Sequence, residues 1–481
     1  MSIAPVQRQS VISLISTITL TAIGFLATIY FAHALGPAAL GAYFLFVAYY
    51  GIFNLIGDGG FGGAAIKRIS EGKEQNEFFS AFIFLRILLI TISVPILFAA
   101  EPFLQDLSES GMFFWLVFAL IISVASSSTS MGVYGAGKVG IYQVSTFFDA
   151  FFRTIIQVGA VYLGFSSAGL AGGFVAGIIA AGMLNYRYLE LHLVRFKIRH
   201  IRSLFGFSFW IFLTTSGSLV FNYADTILIG YFMGNADVGI YRTAFQLTSI
   251  AAFTTLALHT VLYPKISNWH AEGNKTAIET ALARAFTYSL ILAIPVCIGG
   301  WIFGEQLLFF LYGASFVIGA PAFYILLLVQ IVNVFMYLGT MGLNAIDKPR
   351  EAFWVTALAS LANIILNIVL IPVLGITGAA VATLFAMTLN AGVAIYFLSK
   401  CIAVKMEYKP VKNILFASGC MGMLMLVIHV FFPRSNIALL FCVIAAGAVV
   451  YFFVLLKLDT EIRDELKGIG ESLGIPWPRW V

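Results

Sequence analysis

The chain has 481 residues, of which 60% are hydrophobic and only 10% charged, and its formal net charge at pH 7 is +5. Soluble domains carry about 25% charged residues, and the few charges of this chain could not cover so much apolar surface in water. The composition excludes a soluble globular protein and indicates lipid as the solvent. The modest positive charge does not indicate a nucleic-acid partner. The four cysteines lie scattered, mostly in apolar runs, which argues against disulfides and metal ligation: Cys297, Cys401, Cys420 and Cys442.

The first apolar run extends from Val11 to Leu35, a length of 25 residues. The apolar core of a secretory signal peptide has only about 7–15 residues, so this run predicts a retained membrane span. A membrane-spanning helix needs about 20 apolar residues. By this criterion the sequence predicts about fourteen spans, over residues 11–35, 41–66, 79–100, 111–135, 143–163, 167–188, 204–232, 238–263, 281–304, 317–345, 351–372, 377–399, 411–432 and 437–457.

The basic residues test this topology, because cytoplasmic loops of membrane proteins carry an excess of Lys and Arg. With a cytoplasmic N-terminus, 23 of the 27 Lys and Arg residues fall in inside segments and only Arg434 falls outside. The remaining three, Arg86, Arg153 and Arg242, lie within spans. Since the pattern does not invert along the chain, it predicts a multi-pass protein of the cell (plasma or inner) membrane with both termini in the cytoplasm.

The chain also contains an internal repeat. Four pairs of similar segments occur in the same order, about 200 residues apart: 35–43 with 233–241, 67–70 with 264–267, 131–138 with 341–348, and 163–171 with 374–382. Each repeat unit holds six spans, and an even number gives both copies the same orientation in the membrane. The expected symmetry is a two-fold axis along the membrane normal, which is common in transporters. A duplicated scaffold without transport activity is the structural alternative.

The repeat predicts the domain organisation. Residues 1–190 form an N-terminal six-helix lobe, residues 204–400 form a C-terminal six-helix lobe, and residues 411–457 add a helix pair. Hydrophobic and basic residues alternate at roughly helical spacing from Arg187 to Ser203, so we predict an amphipathic cytoplasmic linker helix that includes residues 191–203. The cytoplasmic tail, residues 458–481, ends with Trp477 and Trp480, which suit anchoring at the membrane interface.

Several of these segments resemble one family. They are the LGPAALGAY turn at 35–43, the DGGF and KRIS segments at 58–61 and 67–70, the stretch from Ala224 to Tyr241, YPKIS at 263–267, and LGITGAAVAT at 374–383. The chain resembles the polysaccharide (O-antigen or lipid-linked oligosaccharide) flippases of the multidrug/oligosaccharidyl-lipid/polysaccharide exporter superfamily over its whole length. The resemblance implies an all-α integral membrane protein with two V-shaped six-helix lobes, a cationic central cavity, and transfer of a lipid-linked oligosaccharide to the outer leaflet.

Charged residues inside spans usually face a cavity or a partner, since a charge at the bilayer centre costs about 2.5–3.5 kcal/mol on insertion scales. Arg86 has no acid within one helical turn, and extension of its side chain toward the cytoplasm is the alternative to a place in a cavity. Arg153 follows Asp149 by four residues, a spacing that favours a structural ion pair. Arg242 is expected either to pair with Asp225 or to contact a ligand. Asp58, among glycines, is expected at a turn or hinge.

A lipid-linked oligosaccharide carries a pyrophosphate, and the planar fork of Arg binds phosphate oxygens well. Sugars need hydrogen-bonding and stacking side chains, and the alternative for each of these residues is interhelical bonding that holds the bundle together. The residues with this chemistry are Asn222, Tyr223, Gln330, Asn333, Tyr337, Asn363 and Asn367.

The sequence therefore predicts a flippase without enzymatic activity, cofactor or bound metal. There is no Walker A motif and no His/Cys cluster with metal-ligand spacing. The expected partners are the lipid-linked oligosaccharide and membrane lipid, with Na⁺ or H⁺ as a coupling ion and polysaccharide assembly enzymes as open alternatives. A multidrug or cation antiporter of the same superfamily is the second hypothesis, disfavoured by the scarcity of acids deep in the spans. A polytopic enzyme would need paired carboxylates or a large outer loop, and neither is visible.

Overall fold

The computed structural model describes residues 5–431, 436–464 and 467. These residues form an all-helical protein, and no strand occurs among them. The helices are α1 Pro5–Asp58, α2 Phe61–Ser70, α3 Gln75–Ala100, α4 Gln105–Glu109, α5 Phe113–Gly135, α6 Val139–Tyr162, α7 Ser167–Tyr188, α8 Ile198–Met233, α9 Asn235–Thr248, α10 Phe253–Ala271, α11 Lys275–Tyr312, α12 Ala320–Ala345, α13 Pro349–Leu374, α14 Ile376–Ser399, α15 Tyr408–Phe431 and α16 Ile437–Leu458. The predicted anchors Trp477 and Trp480 lie outside the described residues.

Within the described chain, twelve helices are long and apolar enough to cross a membrane. The bent helix α8, broken by 45° between Gly217 and Leu219, makes a thirteenth if it forms one span. The prediction was about fourteen, and the difference arises at α1. A helix of 54 residues would extend about 80 Å, far more than the roughly 30 Å hydrocarbon core. Gly36 breaks α1 with a left-handed backbone (φ 76°), so the element holds the first predicted span and most of the second.

The surface of these helices is apolar. Large hydrophobic side chains such as Ile92, Ile121 and Leu361 are about half exposed. In water such a surface would promote aggregation, whereas in a membrane it faces the lipid chains. The exposed apolar side chains therefore agree with the membrane location predicted from composition.

The linker between α7 and α8 differs from its prediction. Residues 189–197 have no regular secondary structure, so the predicted amphipathic helix is wrong there, and helix resumes only at Ile198. The backbone N–H groups of His192 and Val194 donate instead to Asn76 Oδ1 and Ser80 Oγ of α3, each at 2.9 Å. These tertiary hydrogen bonds replace the ones a helix would have made, so the local hydrophobic spacing did not decide the backbone conformation.

The helices group into two compact units. One comprises Met1–Thr243 with Asn367–Ile376, and the other Ala244–Leu366 with Thr377–Val481. In the first unit, α7 packs against α5 and α6, while α8 packs against α1, α2 and α3. In the second unit, α11 packs against α10, α12 and α15. The predicted lobe boundaries at residues 190 and 204 stay a prediction.

The C-terminal helix pair belongs to the second unit. Helix α15 packs against both α16 and α11, so the pair is joined to the bundle instead of standing apart from it. The Tyr451 hydroxyl of α16 donates to the Ile291 carbonyl of α11 at 2.7 Å. A hydrogen bond of this kind between helices positions them where lipid offers no competing partner.

The first pair of repeated segments meets in the first unit. Gly36 and Gly234 hold equivalent positions, and both have positive φ, at 76° and 104°. A Cβ built on Gly41 would lie 1.6 Å from the Asn235 carbonyl oxygen, and one built on Gly239 would lie 2.1 Å from the Pro37 carbonyl oxygen. Since Pro37 and Asn235 are also equivalent in the repeat, the contact is reciprocal. Such a contact is expected when a local two-fold axis relates two copies.

Candidate functional site

One face of α1 connects two cationic centres in the first unit. Phe46, Tyr50, Asn54 and Asp58 recur every fourth residue, which places them along one side of the helix. The rings of Phe46 and Tyr50 both contact Phe174 of α7 edge-on, with centroids 5.2 and 4.9 Å apart. The other end of the stripe is polar. The helix therefore presents aromatic rings toward one arginine and oxygen acceptors toward another.

The first centre is Arg86 of α3, whose side chain is 1% exposed. Its guanidinium donates to Asp58 Oδ1 at 2.8 Å, to Asn54 Oδ1 at 2.7 Å and to Ser123 Oγ at 3.3 Å. The side chain is thus buried against protein partners, and the alternative of extension toward the cytoplasm stays a prediction. Burial with an acid 28 positions away in sequence makes Arg86 a structural cross-link between α1, α3 and α5.

Asp58 also shapes the backbone beside it. Its Oδ2 accepts a hydrogen bond from the Gly62 N–H at 3.1 Å, and Gly59 and Gly60 between them have positive φ. The carboxylate therefore joins the end of α1 to the start of α2 while it neutralises Arg86. This geometry fits the turn or hinge role predicted for Asp58.

The second centre is Arg153 of α6. Its guanidinium donates to Asp149 Oδ2 at 2.5 Å, which confirms the ion pair predicted from the four-residue spacing. The guanidinium also lies 4.4 Å from the centroid of the Phe174 ring, within the range of a cation–π interaction. The side chains of Arg153 and Asp149 are 26% and 23% exposed. This pair is therefore partly accessible at the protein surface, whereas the Arg86 side chain is buried.

A third polar cluster surrounds Asp225 of α8. Its Oδ2 accepts from the Tyr241 hydroxyl and its Oδ1 accepts from Asn367 Nδ2, each at 2.7 Å. Asp225 is 8% exposed, so both carboxylate oxygens are satisfied inside the protein. The guanidinium of the neighbouring Arg242 lies 5.9 Å from the ring centroid of Phe44. The suggested pairing of Arg242 with Asp225 stays a prediction.

The remaining predicted polar residues divide by environment. In the second unit, Gln330 donates to Thr248 Oγ1 at 3.2 Å and accepts from Asn333 Nδ2 at 2.9 Å. These bonds agree with the alternative in which Gln330 and Asn333 hold the helix bundle together. In the first unit, Asn222 is exposed, and Tyr223 packs its ring on Gly51 of α1. Asn363 is buried on α13, one turn before Asn367. Whether any of these side chains contacts a sugar stays a prediction.

The sequence could not identify every member of these clusters. Asn54 and Ser123 escaped notice because single polar residues are common in spans, although the four-residue spacing from Asn54 to Asp58 was a usable signal. Tyr241 carries no signal in the sequence beyond its place in a repeated segment. No group of three or more His, Cys, Asp or Glu side chains suited to a metal ion occurs in the part of the chain that the structure describes.

Comparison with protein-family models assigns the chain to a family. The model described as "Polysaccharide biosynthesis protein" matches residues 7–270, more than half of the sequence. The chain belongs to the polysaccharide biosynthesis protein family. The MatE model matches residues 211–369 of this family member.

Two curated relatives from Haloferax volcanii extend the comparison for this polysaccharide biosynthesis protein. The "Probable flippase AglR" is 27% identical and covers 98% of the chain and 100% of its own length. The "Probable low-salt glycan biosynthesis flippase Agl15" is also 27% identical, over 84% of the chain and 86% of its own length. Both matches are nearly full-length, so the similarity includes both repeats.

Solved structures establish the fold of this family member. A lipid II flippase MurJ in an inward closed conformation matches with a TM-score of 0.76 and 19% identity, over 92% of the chain and 98% of MurJ. An inward-facing multidrug resistance MATE transporter matches with a TM-score of 0.62 and 14% identity, over 79% of the chain and 94% of its own length. The polysaccharide biosynthesis protein thus has the all-helical exporter fold predicted from its sequence.

Proposed function

We propose that this protein moves a lipid-linked oligosaccharide from the cytoplasmic to the outer leaflet of the cell membrane by alternating access, for the assembly of a surface polysaccharide or glycan. Both termini then lie in the cytoplasm. The family, the two near-full-length relatives named as probable flippases and the repeated helical architecture support this function. The protein acts as a transporter and not as an enzyme, and its partners are the glycolipid, membrane lipid and polysaccharide assembly enzymes.

The observation that carries the proposal is the partly exposed Arg153–Asp149 pair stacked on Phe174. The guanidinium has five N–H donors, so Arg153 can donate to a phosphate oxygen while its pair with Asp149 stays intact. The Phe174 ring lies under the guanidinium and Tyr50 packs edge-on against Phe174, so these aromatic rings hold Arg153 in place. Arg153 is therefore our candidate for contact with the cargo pyrophosphate, whereas Arg86 serves as a structural cross-link.

Arg153→Ala is expected to reduce flipping of a fluorescent lipid-linked oligosaccharide in liposomes at least about tenfold, since a charge-assisted phosphate contact is lost. The initial rate measured by quenching from outside the vesicle tests this, with Arg202→Ala as a control at an exposed cation on α8. Transport at the wild-type rate by a folded Arg153→Ala variant would remove Arg153 from the cargo site. Absence of flipping by the wild-type protein would contradict the function itself.

We propose Asp225 as the carboxylate that senses a coupling ion, Na⁺ or H⁺. Its two oxygens accept hydrogen bonds from the neutral groups of Tyr241 and Asn367, which can turn away when a cation binds. Asp225→Asn is expected to abolish the dependence of flipping on an imposed Na⁺ or pH gradient, measured in the same liposomes. Glu305→Gln, at an exposed acid, is the control and should keep the dependence. Gradient dependence that survives in Asp225→Asn would contradict this assignment.

An ion-coupled drug antiporter is the second candidate, and the MatE match over residues 211–369 favours it. Such a protein needs acids that are free to bind cations. Two of the acids in spans that we singled out, Asp58 and Asp149, are each paired with an arginine. Efflux of cationic dyes driven by an ion gradient, with no movement of glycolipid, would favour the antiporter over the flippase.

A further inference from the structure

A groove of about 1290 Å³ lies in the first unit, and neither Arg86 nor Arg153 lines it. Its walls are α3, α5, the end of α7 and the linker that follows α7. The volume exceeds the roughly 300–1,000 Å³ of a typical small-molecule pocket. We infer that this groove binds the polyprenyl phosphate end of the carrier lipid, with the phosphate at Arg187 and His192 and the isoprenoid chain along α3. The inference rests on the proposed function.

The α3 wall shows why a long apolar chain fits. It runs on one helical face from Phe79 to Pro95, an advance of sixteen positions that extends about 24 Å at 1.5 Å per residue. One leaflet of the hydrocarbon core is only about 15 Å thick. A phospholipid chain stays within its own leaflet, whereas a polyprenyl chain is long enough to follow the groove past the midplane.

The wall is also stiff. Most of the groove-lining residues of α3 are β-branched, and such side chains keep few rotamers in a helix: Ile83, Ile87, Ile90, Thr91 and Val94. Several of them remain exposed, Ile87 by 50%. A groove that keeps its shape when empty binds a chain with less loss of side-chain freedom.

The charge at one end selects the headgroup. Arg187 and His192 line the groove where α7 ends, and both side chains are exposed. The nearby acid, Glu190, is already paired with Lys138 Nζ at 2.6 Å. For the side chains of Arg187 and His192 themselves, no ion pair or hydrogen bond is present within the described residues. The Arg187 cation and the imidazole N–H donor of His192, at one end of an apolar groove, complement a phosphate attached to a hydrocarbon chain.

The linker after α7 forms part of the groove wall. Leu189, Leu191 and Leu193 line the groove, and the hydrogen bonds from His192 and Val194 to α3 hold the linker in its extended form. A helical linker would turn these leucines to different directions. The non-helical conformation of residues 189–197 thus helps to form the groove.

The test is native mass spectrometry of the full-length protein with a long-chain polyprenyl monophosphate, which carries no sugar. We expect the double variant Arg187→Ala with His192→Ala to bind it at least about tenfold more weakly, because charge-assisted hydrogen bonds to the phosphate are lost. Ala125→Trp, which fills the groove, should have a similar effect. Arg350→Ala and Ala445→Trp, at exposed positions outside the groove, serve as matched controls and should bind normally.

Two results would overturn the inference. One is unchanged polyprenyl phosphate binding in both groove variants. The other is equally tight binding of phosphatidylglycerol, lost in the same variants, which would make the groove a site for anionic phospholipid. The flipping assay separates this inference from the proposed function. If the wild-type protein flips the glycolipid but the groove variants bind the carrier normally, only the groove inference is contradicted. If carrier binding depends on the groove but the wild-type protein does not flip the glycolipid, only the proposed function is contradicted.

Discussion

Arg86→Ala will destabilise the protein by about 3–5 kcal/mol, the cost of removing one partner from a buried ion pair. The substitution leaves the Asp58 carboxylate without its cation and takes a donor from Asn54 and Ser123. It also uncouples α1 from α3 and α5 where α1 turns into α2. The free energy of unfolding in mixed detergent micelles, measured by reversible denaturation, checks this value.

A double variant that lacks both charges separates the ion pair from its surroundings. Arg86→Met with Asp58→Asn removes both charges, so it should recover much of the stability lost by Arg86→Ala alone. Arg153→Ala is the matched comparison, since its pair is about a quarter exposed and should contribute less. Wild-type stability in Arg86→Ala, together with lost transport, would show that Arg86 acts on the cargo and not as a cross-link.

Gly41→Ala will weaken the contact between the two repeated segments by about 1–3 kcal/mol, the usual cost of overpacking. The new Cβ would lie 1.6 Å from the Asn235 carbonyl oxygen and 2.7 Å from the Gly239 nitrogen. Both neighbours are backbone atoms, so no side-chain rotation relieves the clash and α1 and α9 must separate. A shift of this size changes a conformational equilibrium by about 5–150-fold.

A buried reporter measures that separation. Leu40 is 1% exposed beside Gly41, and Leu40→Cys in a cysteine-free background should react faster with maleimide when Gly41→Ala is added. Gly24→Ala is the control, because a Cβ at Gly24 of α1 would meet no atom within 4 Å. Gly239→Ala should act like Gly41→Ala, and the two effects should not add, since both disrupt one contact. Equal labelling in the Gly41 and Gly24 variants would contradict the reciprocal packing.

Fold class and repeat were accessible from the sequence because their signals are local or periodic. Long apolar runs specify spanning helices, since a chain in lipid must satisfy its backbone hydrogen bonds within itself. The Asp149–Arg153 pair was accessible for the same reason, because four residues in a helix fix two side chains on one face. The similarity between the segments at 35–43 and 233–241 is a property of the sequence alone, so the sequence predicts a two-fold relation without their contact.

Other features depend on residues far apart in the chain. Arg86 lies 28 positions after Asp58 and 37 before Ser123, so no helical spacing relates them. The linker from Leu189 to Lys197 has a helix-like hydrophobic pattern, yet hydrogen bonds from its backbone to α3 keep it extended. Local pattern thus determined which segments are helices in lipid. Only the tertiary structure decided how their polar groups pair, because buried charges and backbone groups take the partners that packing brings within reach.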